Sequence, residues 1–242
     1  MNRLQPSSSL LLCAVLAGLS SCAHSSRPDS NQTIAGQAVA PGAVSAKPDE
    51  ALDRLMAGNA RFVAGQSTHQ DLSAERRTEI AQGQKPFATI PRCSDSRVPP
   101  NSVFDTGLGN LFVVRVAGNV ADDVAIGSIE YAVEHLGARL IVVLGHEKCG
   151  AVDATLGAVR SHSEAPGHIQ SIVKAVTPAV ERLAESPGDN LDAAIHANIK
   201  YVANQLAHSK PILDHEVEAG TVKIVGAYYD LESGKVELLE PK

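Results

Sequence analysis

The stretch Leu140 to Gly150 reads LIVVLGHEKCG, and it gives the strongest indication of the fold class. Its first five residues are apolar and three of them are β-branched, which is typical of a strand buried on both faces of a parallel sheet. The run ends at Gly145, and His146 and Cys149 follow at once. Ligands of open α/β sheets bind beyond the carboxyl ends of the strands. The stretch therefore predicts a parallel sheet and also the edge at which its site lies.

Shorter apolar runs and amphipathic helical patterns alternate along the rest of the chain. The patterns predict further strands over 87–90, 111–116, 222–229 and 236–239, and helices over 48–66, 73–81, 125–136, 167–185, 191–206 and 211–220. Such alternation indicates an α/β fold with a central, mostly parallel β-sheet flanked by helices.

The composition bounds the kind of partner. Hydrophobic residues make up 44% of the 242 residues, which is enough for a full core, but aromatics make up only 3% and Trp is absent. Val, Ile, Leu and Ala must therefore build the core. The formal net charge is -6, and Lys and Arg form no basic block. A nucleic-acid surface needs clustered Lys and Arg to neutralise phosphates, so the sequence argues against nucleic acid as a partner.

Residues 1–22 have the features of a secretory leader. Arg3 gives a positive start, and the apolar run from Leu10 to Leu19 is too short to span a bilayer. Leu19-Ser20-Ser21-Cys22 then resembles a bacterial lipobox, in which Cys22 becomes the lipidated first residue of the mature protein. The alternative is an ordinary signal peptide cut near Ser21.

Residues 23–47 are rich in Ser, Ala, Gly, Pro and Gln and are predicted to form a flexible tether. Residues 48–242 are left as the folded domain. We therefore expect the domain to be lipid-anchored on the periplasmic face, at the outer membrane, and to contact the membrane only through this anchor. If the leader is an ordinary signal peptide, the protein is soluble in the periplasm or secreted.

Two short stretches carry the chemistry. Cys93-Ser94-Asp95-Ser96-Arg97 follows the first predicted strand, and His146 precedes Cys149 by three residues. Two Cys in an oxidising compartment could form a disulfide, but the neighbouring His favours a metal. Cys93, His146 and Cys149 match the Cys₂His set of catalytic zinc sites, which leave the fourth coordination position open.

Asp95 and Arg97 have the chemistry of a gate beside this site. A carboxylate is itself a zinc ligand, so Asp95 could occupy the fourth position. Arg97 could instead hold Asp95 away in a bidentate ion pair. From the residues, the prediction is metal-assisted hydration or hydrolysis by a zinc-bound hydroxide.

The combined motifs resemble those of the β-class carbonic anhydrases. Cys-Ser-Asp-Ser-Arg-Val at Cys93 is followed by Gly-His-x-x-Cys-Gly-Ala at Gly145, and the likeness covers about residues 49–240. Three further segments take part: Gly58 to Phe62, Phe112 to Asn119, and Ile129 to Ala132. The resemblance implies a zinc enzyme that interconverts CO₂ and bicarbonate, with a homodimer as the minimal unit and tetramers common.

The resemblance also implies roles for particular residues. The zinc ligands would be Cys93, His146 and Cys149. Asp95 would orient the zinc-bound water and form the gate with Arg97. The substrate-binding groups would be Gln84, acting across a subunit interface, the pocket residues Phe112 and Tyr131, and the backbone N–H of Gly150.

One departure from the family pattern bears on activity. The family has a small residue before the first ligand, where this chain has Pro91-Arg92. Proline removes a hydrogen-bond donor from a strand that should be central. Two alternatives to CO₂ hydration therefore stay open. One is hydrolysis of a CO₂-like molecule such as carbonyl sulfide or carbon disulfide. The other is a non-catalytic zinc- or bicarbonate-binding homologue, inactivated near Pro91-Arg92.

Overall fold

The computed structural model describes residues 47–68, 71–188 and 190–240. The predicted leader at 1–22, with Cys22, lies outside the described residues, as does the predicted tether except for Lys47.

The described residues form eight α-helices, five strands and a short 3₁₀ turn. The helices are α1 (Pro48–Val63), α2 (Ala74–Ile80), α3 (Pro100–Val103), α4 (Asp123–Glu134), α5 (Gly150–Ser161), α6 (Ile169–Ala184), α7 (Leu191–Ala207) and α8 (Leu213–Glu218). The strands are β1 (Ala88–Arg92), β2 (Leu111–Arg115), β3 (Leu140–His146), β4 (Lys223–Tyr229) and β5 (Val236–Leu239), and the 3₁₀ turn is Ala117–Asn119. None of the described helices has the length and hydropathy needed to cross a membrane.

The strands form one sheet in the order β2-β1-β3-β4-β5. All neighbours pair in parallel except β5, which runs antiparallel to β4. The predicted fold class, a mostly parallel sheet flanked by helices, is therefore confirmed. Because β1 and β3 are neighbours, their carboxyl ends meet at one edge, and the segments that follow them start side by side.

Each face of the sheet carries its own apolar core. On one face α1 and α3 pack over the even-numbered residues of β3, and this core contains Leu55, Phe104 and Leu144. On the other face α7 packs over the odd-numbered residues, α4, α5 and α6 complete the same core, and this core contains Val143 and Ile199. Since successive strand residues point to opposite faces, a continuous apolar strand such as β3 supplies both cores.

Glycine at position 145 lets α7 lie close to the end of β3. A Cβ built on Gly145 would overlap the side chain of Ile199. The close packing of α7 against the end of β3, where His146 lies, therefore requires a residue without a side chain at position 145.

Helix α5 is the main element that the sequence patterns did not predict. It begins at Gly150, directly after Cys149, and buries Val152 and Leu156. Two glycines and small residues weaken its local helical signal. Packing against α6 stabilises it instead, because these two helices meet along much of their length.

Strand β1 runs through Pro91-Arg92, and all five of its residues are buried. It pairs with β2 along its whole length. Its pairing with β3 is found at Thr89 and Arg92 and is missing at Ile90 and Pro91 between them. This gap is the expected effect of proline, which has no N–H to donate. Pro91 thus costs one ladder hydrogen bond, but the strand still forms and leads into Cys93.

Candidate metal centre

Cys93, His146 and Cys149 lie together at the carboxyl edge of the sheet. Cys93 follows β1, His146 is the last residue of β3, and Cys149 is the N-cap residue of α5. All three are buried, and their possible ligand atoms lie within 4.8 Å of one another. The two Sγ atoms are 4.0 Å apart. Two sulfurs bound at about 2.3 Å to one tetrahedral ion would be ~3.8 Å apart, so the spacing fits a shared zinc ion.

One backbone contact aims the His146 ring. Its Nδ1 lies 2.8 Å from the carbonyl oxygen of Glu147, which can only accept, so Nδ1 carries the proton. Nε2 is then unprotonated and has a free lone pair, and it is buried with no hydrogen-bond partner. A buried nitrogen that faces two thiols and is oriented through its other nitrogen is the usual form of a metal-ligating His. The residues therefore fit a bound metal.

The two thiols are joined by one hydrogen bond, which shifts their pKa values in opposite directions. The bond from Cys149 lowers the pKa of Cys93, and the Gly118 N–H adds to this effect. The same hydrogen bond, together with burial, raises the pKa of Cys149. Such coupled groups titrate as a pair. Both thiols are free, and their separation is about twice a disulfide bond length. The shift favours Cys93 as the thiolate, which is the form that binds a metal cation.

Asp95 lies beside the three ligand atoms but is bound to Arg97. The Arg97 Nε and Nη2 atoms donate to the two carboxylate oxygens at 2.9 and 2.7 Å. The Arg97 backbone N–H adds a third bond at 2.9 Å. These contacts keep the pKa of Asp95 far below its ordinary value. One carboxylate oxygen lies only 3.7 Å from His146 Nε2. Asp95 is therefore ionised and close to the ligand atoms, but its ion pair with Arg97 keeps it from the metal position.

The structure adds a residue that the motif analysis gave no role. The backbone N–H of Gly118, in the 3₁₀ turn, donates to Cys93 Sγ at 3.3 Å. The φ angle of Gly118 is 67°, which favours glycine. A Cβ there would lie 3.2 Å from the side chains of Ala151 and Val176, which is a tight contact. Asn198 of α7 holds the turn by donating to the Gly118 carbonyl at 2.8 Å. The quoted segment Phe112 to Asn119 contained this glycine, but sequence could not show its contact with Cys93.

The four predicted substrate-binding residues lie in four different segments of the fold. Phe112 is half-buried in β2 and pairs with Thr89, which puts it on the same sheet face as Cys93. Gly150 is the first residue of α5, where backbone N–H groups lack helical partners. Gln84 lies in an exposed loop, and Tyr131 is 41% exposed on α4. Within one chain, the last two lie on the surface.

Comparison with known proteins agrees with this fold. The sequence model of the carbonic anhydrase family matches residues 88–236. A β-carbonic anhydrase of Aspergillus fumigatus, CafA, is 28% identical and has a TM-score of 0.61, with 78% of this chain and 90% of that chain covered. The mostly parallel sheet of this chain is thus also the fold of a solved β-class enzyme. The chain belongs to the carbonic anhydrase family, in its β class.

Two curated relatives extend the similarity over most of the folded domain. The carbonic anhydrase of Mycolicibacterium smegmatis is 43% identical over 191 residues, which cover 79% of this chain and 93% of the relative. Carbonic anhydrase 2 of Mycobacterium tuberculosis is 39% identical over 191 residues, with 79% and 92% covered.

Proposed function

We propose that this chain is a zinc enzyme that interconverts CO₂ and bicarbonate, with Cys93, His146 and Cys149 as the zinc ligands. The observation that carries the proposal is the buried, unpartnered His146 Nε2 beside two free thiols. A zinc ion held there would act as a Lewis acid and activate a water molecule for attack on CO₂.

The surrounding residues have separate tasks. The Glu147 carbonyl keeps His146 in the tautomer that presents Nε2. Asp95 stays ionised in its ion pair with Arg97. Its carboxylate oxygens can accept a hydrogen bond from a group bound at the open coordination position. The N–H of Gly150 lies at the start of α5 and is suited to an oxyanion. Phe112 supplies an apolar wall, which suits a substrate without charge.

The test measures zinc content and CO₂ hydration on one purified sample. We expect about one zinc per chain and hydration well above the buffer rate, as is general for a catalytic zinc site. His146→Gln should lose both, because it removes the oriented nitrogen ligand. His208→Gln, which changes an exposed His on α7's C-terminal cap, should change neither. Stoichiometric zinc without hydration above buffer would contradict the proposal.

We also propose the lipid anchor at Cys22 and the periplasmic face of the outer membrane as its location. The supporting feature is the lipobox-like sequence ahead of Cys22. In the native bacterium we expect the protein in the membrane fraction, and Cys22→Ser should move it to the soluble fraction, since removing the acyl chains removes the anchor. Cys13→Ser is the matched control and should stay with the membrane. Wild-type protein found wholly soluble would favour an ordinary signal peptide.

A further inference from the structure

Arg92 is buried in an unusual way for a charged residue. Its exposed fraction is 1%, and it is among the largest fully buried side chains of the described chain. Its Nη1 atom donates to the carbonyl oxygen of Asp95 at 3.2 Å. Its Nε and Nη2 atoms are buried with no hydrogen-bond partner. The bond to Asp95 is therefore the contact on which this guanidinium depends.

The arrangement is costly, so the surrounding fold must hold it in place. Taking a cation out of water is unfavourable unless the cation is well paired. Burial, followed by the charge of Arg115, lowers the pKa of Arg92 to about 10. The residue still carries its charge at neutral pH. Loss of its bond to Asp95 would leave a buried guanidinium with no partner at all.

Arg92 and two other arginines hold the segment that carries the gate. Arg115 Nη2 donates to the Ser94 carbonyl at 2.9 Å, and Arg92 Nη1 donates to the next carbonyl, that of Asp95. Arg97 binds the Asp95 carboxylate from the solvent side, with 51% of its own side chain exposed. Asp95 is thus held by its backbone from the interior and by its side chain from outside.

We propose that Arg92 is a positioning residue that keeps Asp95 in the open arrangement, with its carboxylate on Arg97 and the fourth coordination position free. This inference rests on the proposed function, because it concerns the gate of that same site. Closing the gate breaks the bond from the Arg97 backbone N–H to the Asp95 carboxylate. That bond closes a turn in which the Asp95 carbonyl also accepts from the Val98 N–H at 3.4 Å. Moving the carboxylate to the metal would disturb this turn and draw the carbonyl away from Arg92. The Arg92 guanidinium is then buried without a hydrogen-bond partner, which raises the free energy of the closed arrangement.

The experiment measures how well an added anion reaches the open position. The full chain is loaded with Co²⁺ in place of zinc, and sodium azide is titrated at neutral pH while the visible absorption is recorded. Arg92→Met keeps the volume and removes the donors, so Asp95 should compete with azide. We expect azide binding to weaken about tenfold, which corresponds to the loss of one hydrogen bond to a charged group.

Two further variants separate positioning from packing. Arg92→Lys restores a charged donor and should recover most of the azide affinity. Arg139→Met removes an arginine that pairs with Glu216 at 3.0 Å, at the start of β3 and away from the gate, and should leave azide affinity unchanged. Metal content is measured on every sample.

Equal azide affinity in wild type and Arg92→Met, at equal metal content, would overturn the inference. If Arg92→Met does not fold, a crystal structure of the zinc-loaded wild type decides. Asp95 bound to zinc while the Arg92 bond to its carbonyl persists would also overturn it. Failure of the proposed function looks different: the wild type would not hydrate CO₂, although azide binding still depended on Arg92.

Discussion

At the scale of single residues, a side chain's neighbours decide its chemical state. His146 becomes a candidate ligand because the Glu147 carbonyl accepts a hydrogen bond from its Nδ1–H, which leaves Nε2 unprotonated. Cys93 is favoured as a thiolate by hydrogen bonds from Cys149 and Gly118. These contacts select among states that each residue type already has. Their effect is a site in which Cys93 favours the thiolate form and His146 presents one nitrogen to a metal.

Asp105 shows the same principle outside the site. Its side chain is 3% exposed, and it accepts hydrogen bonds from Arg61 at 2.6 Å and from the N–H and hydroxyl of Thr68. Burial would raise the pKa of this carboxyl, but the bonds from Arg61 and Thr68 outweigh burial and lower it. Asp105 therefore stays ionised and joins α1 to the loop after α3.

We expect this contact to make stability depend on acid pH. The lowered pKa means that the folded state favours the ionised form, so the contribution is fully present above the unfolded pKa of about 4. It is lost as pH falls through the lower folded value. Asp105→Asn should cost about 2 kcal/mol at neutral pH and progressively less in acid, measured by urea unfolding.

The matched control for this prediction is Asp49→Asn. Asp49 is also paired, with Lys223 at 2.7 Å, but its side chain is 80% exposed. An exposed pair contributes little, so this variant should unfold nearly as the wild type does. A loss in Asp105→Asn that stayed constant down to the lowest pH would contradict the expected linkage.

At the scale of elements, β1 is the weakest part of the frame that carries the site. It is central in the sheet order, and yet its pairing with β3 is interrupted at Ile90 and Pro91. Continuous pairing with β2 and complete burial compensate for this gap. The strand is retained because its packing does not depend on the missing donor.

Restoring the donor should strengthen the frame. Pro91→Val supplies a backbone N–H toward β3, and we expect the free energy of unfolding to rise by about 1 kcal/mol, the usual net value of one hydrogen bond. Urea unfolding measures it as a higher midpoint at unchanged slope. Pro99→Val, just before α3 and outside the sheet, is the control. A lower midpoint for Pro91→Val would show that proline fits this strand better than the ladder argument allows.

At the scale of the whole molecule, parts of the predicted site lie on the surface of the single chain. Gln84 is exposed, and Tyr131 is 41% exposed on α4. Val124, also on α4, is 79% exposed, and β2 is an edge strand of the sheet. Exposed apolar side chains on a helix beside an open strand edge are typical of a subunit interface. We therefore keep the proposal that a homodimer, or a tetramer built from it, completes the site.

Light scattering tests this proposal. The wild type should have the mass of at least two chains. Val124→Glu places a charge in the proposed interface, so it should shift the mass toward one chain and lower CO₂ hydration with zinc retained. Ile169→Glu changes a residue that is 50% exposed at the start of α6 and serves as the control. A wild type with the mass of one chain and full activity would reject a shared site.

Local patterns were enough to predict the fold class and the candidate ligands, because both depend on residues that are near one another in the sequence. The apolar run of β3 shows a buried strand, and its end shows where His146 and Cys149 lie. Helix boundaries were predicted to within a few residues at α6 and α7. Helix α5 was not predicted, because packing against α6 stabilises it more than its own sequence does.

By itself, the sequence determined a parallel α/β fold and a Cys, His, Cys set with an Asp–Arg pair beside it. The tertiary structure decided which strands are neighbours, and so which side chains meet. It also decided that Gly118 donates to Cys93 and that Arg92 turns inward to the Asp95 carbonyl. The physical reason is that periodicity and spacing describe a residue's own segment. Contacts between distant segments follow from burying apolar faces and from satisfying the polar groups that are buried with them.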